Sequence, residues 1–152
     1  MDLRLDRIYT ELKDPGKQNF LEAGLFESLH PLNEMSNIAS KLDQLPRNTK
    51  VYVYGENDEQ GTKPPHFHVL IDNGALEFEI YIRKIRDLII WRTKGNRPLS
   101  WSDNNAVDVY KALKKWLSQK NRHLTDMTNI EAIVAIWNMN NENRQIDLKY
   151  TE

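Results

Sequence analysis

A chain of 152 residues without a single cysteine can bury roughly 70% of the surface its unfolded form exposes, but it cannot form disulfides, use a thiolate nucleophile or build a Cys-ligated zinc or iron–sulfur site. No apolar run is long enough for a signal peptide or a membrane span, so a soluble, cytoplasmic protein is expected. The formal charge of -1 hides an uneven distribution: residues 83–122 hold eleven Lys or Arg against Asp87, Asp103 and Asp108, a net of +8, and the remainder carries -9.

Charge segregation of this kind marks a polyanion partner such as nucleic acid, or two parts that complement each other within the fold or across a homodimer. Residues 1–46 read as an added helical segment. Leu5, Ile8, Tyr9 and Leu12 have helical spacing before a break at Asp14-Pro15-Gly16. Phe20, Leu21, Gly24, Leu25 and Leu29 predict a second amphipathic helix ending before Pro31, and Ser36 is a candidate cap for a short third one bearing Ile38 and Leu42. The pattern changes after the turn-like Leu45-Pro46-Arg47-Asn48, because Val51-Tyr52-Val53-Tyr54 is β-branched and aromatic and predicts a strand. A polar loop, Gly55 to Pro65, then leads into the stretch His66 to Ile82.

That stretch predicts a hairpin, since Asn73-Gly74 suits the positive φ angles of a two-residue type I′ turn and is flanked by alternating residues. Setting Asp72 opposite Ala75 pairs Ile71 with Leu76, Val69 with Phe78 and Phe67 with Ile80 on a core face. The other face carries His66, His68 and Leu70 opposite Tyr81, Glu79 and Glu77. Leu88-Ile89-Ile90-Trp91 is the next predicted strand, apolar on both faces. Ser102 or Asp103 is placed to start a helix with Ala106, Val109, Tyr110, Leu113, Trp116 and Leu117 on one stripe. Thr128 and Glu131 have capping-box spacing ahead of a last helix with Ile130, Ile133, Val134, Ile136 and Trp137, which Asn138 to Asn143 interrupts. The expected organisation is an N-terminal helical segment (1–46), an α+β core domain (47–143) and a mobile tail (144–152). Its antiparallel sheet is built around the 66–82 hairpin, with helices packed mainly on the apolar face.

Pro64-Pro65-His66-Phe67-His68-Val69, followed by a hairpin and a helix with a Trp, resembles the small bacterial proteins grouped as domain of unknown function 4160, over about Val51 to Asn140. The resemblance implies a bacterial protein and a fold more than an activity, with the N-terminal helices as an addition to the usual core. Members of that family often look like parts of small two-gene operons, some suspected of toxin–antitoxin or phage-defence roles. It carries over His66 and His68 only.

Three readings of the histidine face follow from its residues. His-x-His on a strand sets two imidazoles side by side, and Glu79 across the pair completes a two-His-one-carboxylate set for zinc, manganese or iron, with open positions for water and hydrolysis of an ester or phosphodiester. Asp72 is too remote along the strand for a fourth ligand. Without metal, one histidine serves as base and the other as acid, with Glu79 orienting His68, as in ribonuclease-like chemistry. The third reading is non-enzymatic: a satisfied polar sheet face that binds a partner or lies under the N-terminal helices.

Elsewhere, Arg83, Arg86, Arg92, Lys94 and Arg97 are the candidate binding cations, and Trp101 beside Arg97 either stacks on a base or ring or packs into the core. Trp116 and Trp137 fall on apolar stripes and are expected in the core. His30 and His123 are isolated, Ser100 and Ser102 lack an elbow-type glycine motif, and no phosphate-loop or dinucleotide signature is present. The leading functional expectation is a binding or accessory module of a stress, defence or toxin–antitoxin-type operon, with a partner protein or nucleic acid. The alternative is a metal- or histidine-dependent hydrolase, nuclease or phosphoesterase, using His66, His68 and Glu79.

Overall fold

The computed structural model of the chain describes residues 35–39, 45–54, 63–121, 127–141 and 146–147. The helices expected over Leu5–Leu12 and Phe20–Leu29 lie outside these residues. Five strands form one antiparallel sheet in sequence order: β1 (Met35–Ala39), β2 (Lys50–Tyr54), β3 (His66–Ile71), β4 (Leu76–Tyr81) and β5 (Ile90–Thr93). Two helices follow, α1 (Val107–Leu117) and α2 (Asn129–Asn140). The fold is therefore α+β, as expected. Among the described residues no helix is long and apolar enough to cross a membrane.

The β3–β4 register is the expected one throughout: His66 pairs with Tyr81, Phe67 with Ile80, His68 with Glu79, Val69 with Phe78, Leu70 with Glu77 and Ile71 with Leu76. The reversal keeps the expected positive φ at Asn73 and Gly74 and the Ala75-to-Asp72 turn bond, and differs at Asp72. Asp72, Asn73 and Gly74 all have positive φ (54°, 57° and 90°), the Gly74 N–H donates to Ile71 and the Ala75 N–H to Asp72. The loop thus takes four residues, and the expected Asp72–Ala75 pair does not form. The reason lies in the preceding turn. The Asp72 N–H donates to the Arg47 carbonyl at 2.8 Å, and the Arg47 guanidinium grips the Asp72 carboxylate, drawing Asp72 out of the ladder. That guanidinium holds the Asp72 carboxyl below its ordinary range.

Three further expectations are corrected. Ser36 caps no helix, because Met35–Ala39 is a strand paired with β2. The strand expected at Leu88–Trp91 begins two residues later. Ile85–Asp87 forms a 3-10 turn bracketed by Lys84 and Leu88 in the left-handed region, which a continuous strand does not tolerate. The helix expected from Ser102 or Asp103 begins at Val107. Asn104 spends its amide on the Pro98 and Ser100 carbonyls, and Asn105 adopts a φ of 54°, so local side-chain bonds hold this stretch as turns.

The Thr128–Glu131 capping box is present in both directions. Trp116 and Trp137 are buried. Helix α2 is apolar on more than one stripe, with Ala132 and Ala135 buried alongside Ile133, Val134 and Ile136, and it packs against β1, β2 and α1. The expected mobile tail is tied down at Ile146, whose N–H donates to the Asn138 side chain and whose carbonyl accepts from it. The apolar face of the hairpin forms the core with Val51, Val53 and α1. Trp101 stands edge-on to Phe78, with ring centres 4.8 Å apart, and links it to Tyr110 of α1.

Candidate functional site

Period-two alternation along β3 puts His66 and His68 on the face opposite Phe67 and Val69, and the β3–β4 register sets Glu79 directly across from His68. These three side chains are buried, with 6, 4 and 5% of their residue surface exposed. Each offers one ligand atom, and the three atoms lie within 4.8 Å of one another. Among the described residues this His-His-Glu cluster can hold a metal ion.

The orientation of His66 comes from the two prolines ahead of the strand. Its Nδ1 lies 2.7 Å from the Pro64 carbonyl oxygen. A carbonyl only accepts, so Nδ1 carries the proton, and in the neutral ring Nε2 carries the lone pair. Pro65 meanwhile accepts the Ile82 N–H at 2.9 Å, which fixes the strand entry. His66 Nε2 then sits 3.3 Å from Glu79 Oε1, and His68 Nε2 sits 3.7 Å from the same oxygen. His68 Nδ1 lies 3.8 Å from Glu77.

Both imidazoles are held neutral. Burial lowers the His66 pKa, outweighing the opposite pulls of the Pro64 hydrogen bond and of Glu79, and Lys63 and Arg92 lower it further. Burial, the neighbouring His66, Lys63 and Arg92 together bring His68 down to about 3. A ring that resists protonation this strongly is a poor general acid near neutrality and a good metal ligand.

Arg92, which the sequence offers only as one of several candidate binding cations, completes the site through a pairing that the sequence signals did not reveal. A β-bulge at Trp91 lets Glu79 pair with Arg92 while Ile80 pairs with Ile90, so Arg92 stands opposite Glu79. Its Nε bonds Oε2 and its terminal nitrogen lies 2.9 Å from Oε1. Alternation cannot show such a pairing, because the extra residue shifts the register by one. Trp91 and Trp137 pack their rings against His66 at 5.9 and 5.6 Å, and the two imidazoles are 5.1 Å apart. The site is thus a carboxylate and two imidazoles in an aromatic surround, with Arg92 on the outer side.

Of the other candidate residues, Arg83, Arg86, Lys94 and Arg97 are exposed. Arg86 donates to the Ser118 hydroxyl, and the Arg97 carbonyl accepts from Thr93. Trp101 packs between Phe78 and Tyr110 and donates its indole N–H to the Leu88 carbonyl at 2.9 Å, a placement that serves packing.

Comparison with family models, with curated proteins and with solved structures finds no match to this chain.

Proposed function

We propose that the protein is a divalent-metal-binding domain whose ion is held by His66 Nε2, His68 Nε2 and Glu79 Oε1. One observation carries this reading: the lone pair of a neutral imidazole faces a carboxylate oxygen at 3.3 Å, with a second neutral imidazole 3.7 Å from that oxygen. Two electron-rich atoms at that separation repel unless a proton or a cation lies between them, and burial disfavours the proton. Donors around a tetrahedral ion with bonds of about 2.0–2.2 Å are roughly 3.3–3.6 Å apart. The His66–Glu79 spacing already fits, and the rest of the cluster closes by side-chain rotation.

Two imidazoles and one carboxylate suit zinc, manganese or iron. The Pro64 carbonyl supplies the outer-shell bond that metal-bound histidines characteristically make. Arg92 has a corresponding part: its terminal nitrogen yields Oε1 to the ion while its Nε stays on Oε2 and orients the carboxylate. Three protein donors leave a position for water, so hydrolysis of a phosphodiester or another ester is the activity such a centre supports. The resemblance to domain of unknown function 4160 adds a setting, an accessory module of a stress, defence or toxin–antitoxin operon.

Zinc titration of untagged, chelator-treated protein tests the reading. Expected is one ion per chain for the wild type and loss of that binding in His68→Ala and in Glu79→Ala. Equal binding by all three proteins, or none by the wild type, would refute it. Hydrolysis of a generic phosphodiester that requires the added ion and disappears in His68→Ala would extend the centre from binding to catalysis.

A further inference from the structure

A divalent ion on the histidine face creates a charge imbalance that the surrounding side chains do not remove. Glu79 and Glu77 bring negative charge, Glu77 lying 3.8 Å from His68 Nδ1. Arg92, bonded to Glu79, brings positive charge, and so does Lys63, close enough to oppose protonation of both rings. These four charges cancel. Among the described residues the double charge of an ion therefore stands unbalanced, beside His66, His68 and Glu79 side chains only 6–7% exposed. Uncompensated charge away from water is costly, so the open coordination position favours an anion.

Arg92 indicates how that anion is held. Its terminal nitrogen lies 2.9 Å from Glu79 Oε1, the oxygen that also faces the imidazoles at 3.3 and 3.7 Å. An ion that takes Oε1 weakens this bond and frees an N–H donor in contact with a metal ligand. The guanidinium stays in place, because its Nε keeps the bond to Oε2 and its carbon lies over the Trp91 ring, 4.8 Å from the ring centre. A guanidinium fixed in this way presents its remaining donors as a planar fork that matches phosphoryl oxygens. Its side chain is 49% exposed, against 7% for Glu79, so Arg92 spans from the ligand oxygens to solvent.

The size of the imbalance selects among anions. A neutral ester leaves the double charge untouched, and a carboxylate or a phosphodiester removes only half of it. The phosphoryl group of a monoester carries about −1.5 to −2 at neutral pH and removes nearly all. Resting on the metal site proposed above, we infer that its open position takes the phosphoryl group of a phosphomonoester, one oxygen on the ion and another on the terminal nitrogen of Arg92. This narrows the ester of that reading and makes Arg92 the residue that determines specificity.

Zinc titration comes first, and a wild type that binds no zinc would refute the metal site and this inference together. Zinc-loaded protein is then titrated calorimetrically at about pH 8 with phenylphosphonate, which carries the dianionic group on an uncleavable P–C bond. Expected is binding to the zinc-loaded wild type, none to metal-free protein, and at least about tenfold weaker binding to zinc-loaded Arg92→Gln. Dimethyl phosphate and acetate should also bind the wild type at least about tenfold more weakly. Arg92→Lys keeps the charge without the fork; it should retain zinc and still bind phenylphosphonate more weakly than the wild type, and it carries the comparison if Arg92→Gln loses its zinc. With zinc bound, failure of the wild type to bind phenylphosphonate, unchanged affinity in the variants, equal binding by metal-free protein, or a preference for acetate or dimethyl phosphate would overturn the phosphoryl assignment and leave the metal site standing. Inorganic phosphate binding at least about tenfold tighter than phenylphosphonate would assign the position to the free anion and overturn the monoester.

Discussion

On one face of the β3–β4 hairpin, Phe67, Val69, Phe78 and Ile80 are wholly buried among apolar neighbours; on the other, His66, His68 and Glu79 are almost as inaccessible yet bring two imidazoles and a carboxylate together. The difference lies in what each face does with its burial. The apolar face removes hydrocarbon from water and stabilises the sheet. The histidine face removes polar groups from water, an expense that a stability role alone does not require, since apolar side chains would fill the same space without it.

The largest expected effect lies on the apolar face. Phe78→Ala removes a fully buried ring that touches Trp101 and should cost about 3–5 kcal/mol in urea unfolding. Glu79→Ala should cost about 1–3 kcal/mol. Losing one partner of a wholly buried ion pair costs more, but the Arg92 side chain is 49% exposed and can turn into water.

Acidification sharpens the contrast. The unfolded chain protonates its histidines below about pH 6.5, while His66 and His68 stay neutral in the fold. For His68 the unfolded state therefore binds more protons in that range, and stability falls as pH drops from 6.5 towards about 3, by at most about 1.4 kcal/mol per pH unit. The lowered His66 pKa acts in the same direction below pH 6.5. Urea unfolding of metal-free protein at a series of pH values measures this slope. The exposed Arg47–Asp72 pair acts in a lower window: with the Asp72 pKa depressed below 3.8, its contribution is present above that value and is lost only on further acidification. Thr128→Ala, outside both faces, should cost about 1 kcal/mol through the lost capping box. Smallest of all, His68→Leu should leave stability unchanged within about 1 kcal/mol, or raise it, while removing metal binding. A large loss of stability in His68→Leu would show that the imidazole serves the fold.

Much of this arrangement was legible in the residues. Alternation about Asn73-Gly74 was enough for all six β3–β4 pairs and for the grouping of His66, His68 and Glu79, because strand period and cross-strand pairing are local and strict. Thr128 and Glu131 announced their helix for the same reason. What stayed hidden depends on contacts distant in sequence. Arg47 reaches across 25 residues to Asp72 and widens the turn, and the bulge at Trp91 brings Arg92 to Glu79. Ser36 lies in a strand because β2 is there to pair with it. Alternation also assigns residues to a face without saying what covers that face, so the burial of the histidines and the ring of Trp137 against His66 could not be read beforehand.

The most direct measurement is a long-range proton–nitrogen correlation of the histidine rings by NMR at neutral pH, before and after one equivalent of zinc. Both rings should be neutral in the free protein, with His66 protonated on Nδ1, and the Nε2 signals of His66 and His68 should move together when zinc is added. Rings already charged in the free protein, or zinc-induced shifts confined to His30 and His123, would show that no metal centre exists on this face.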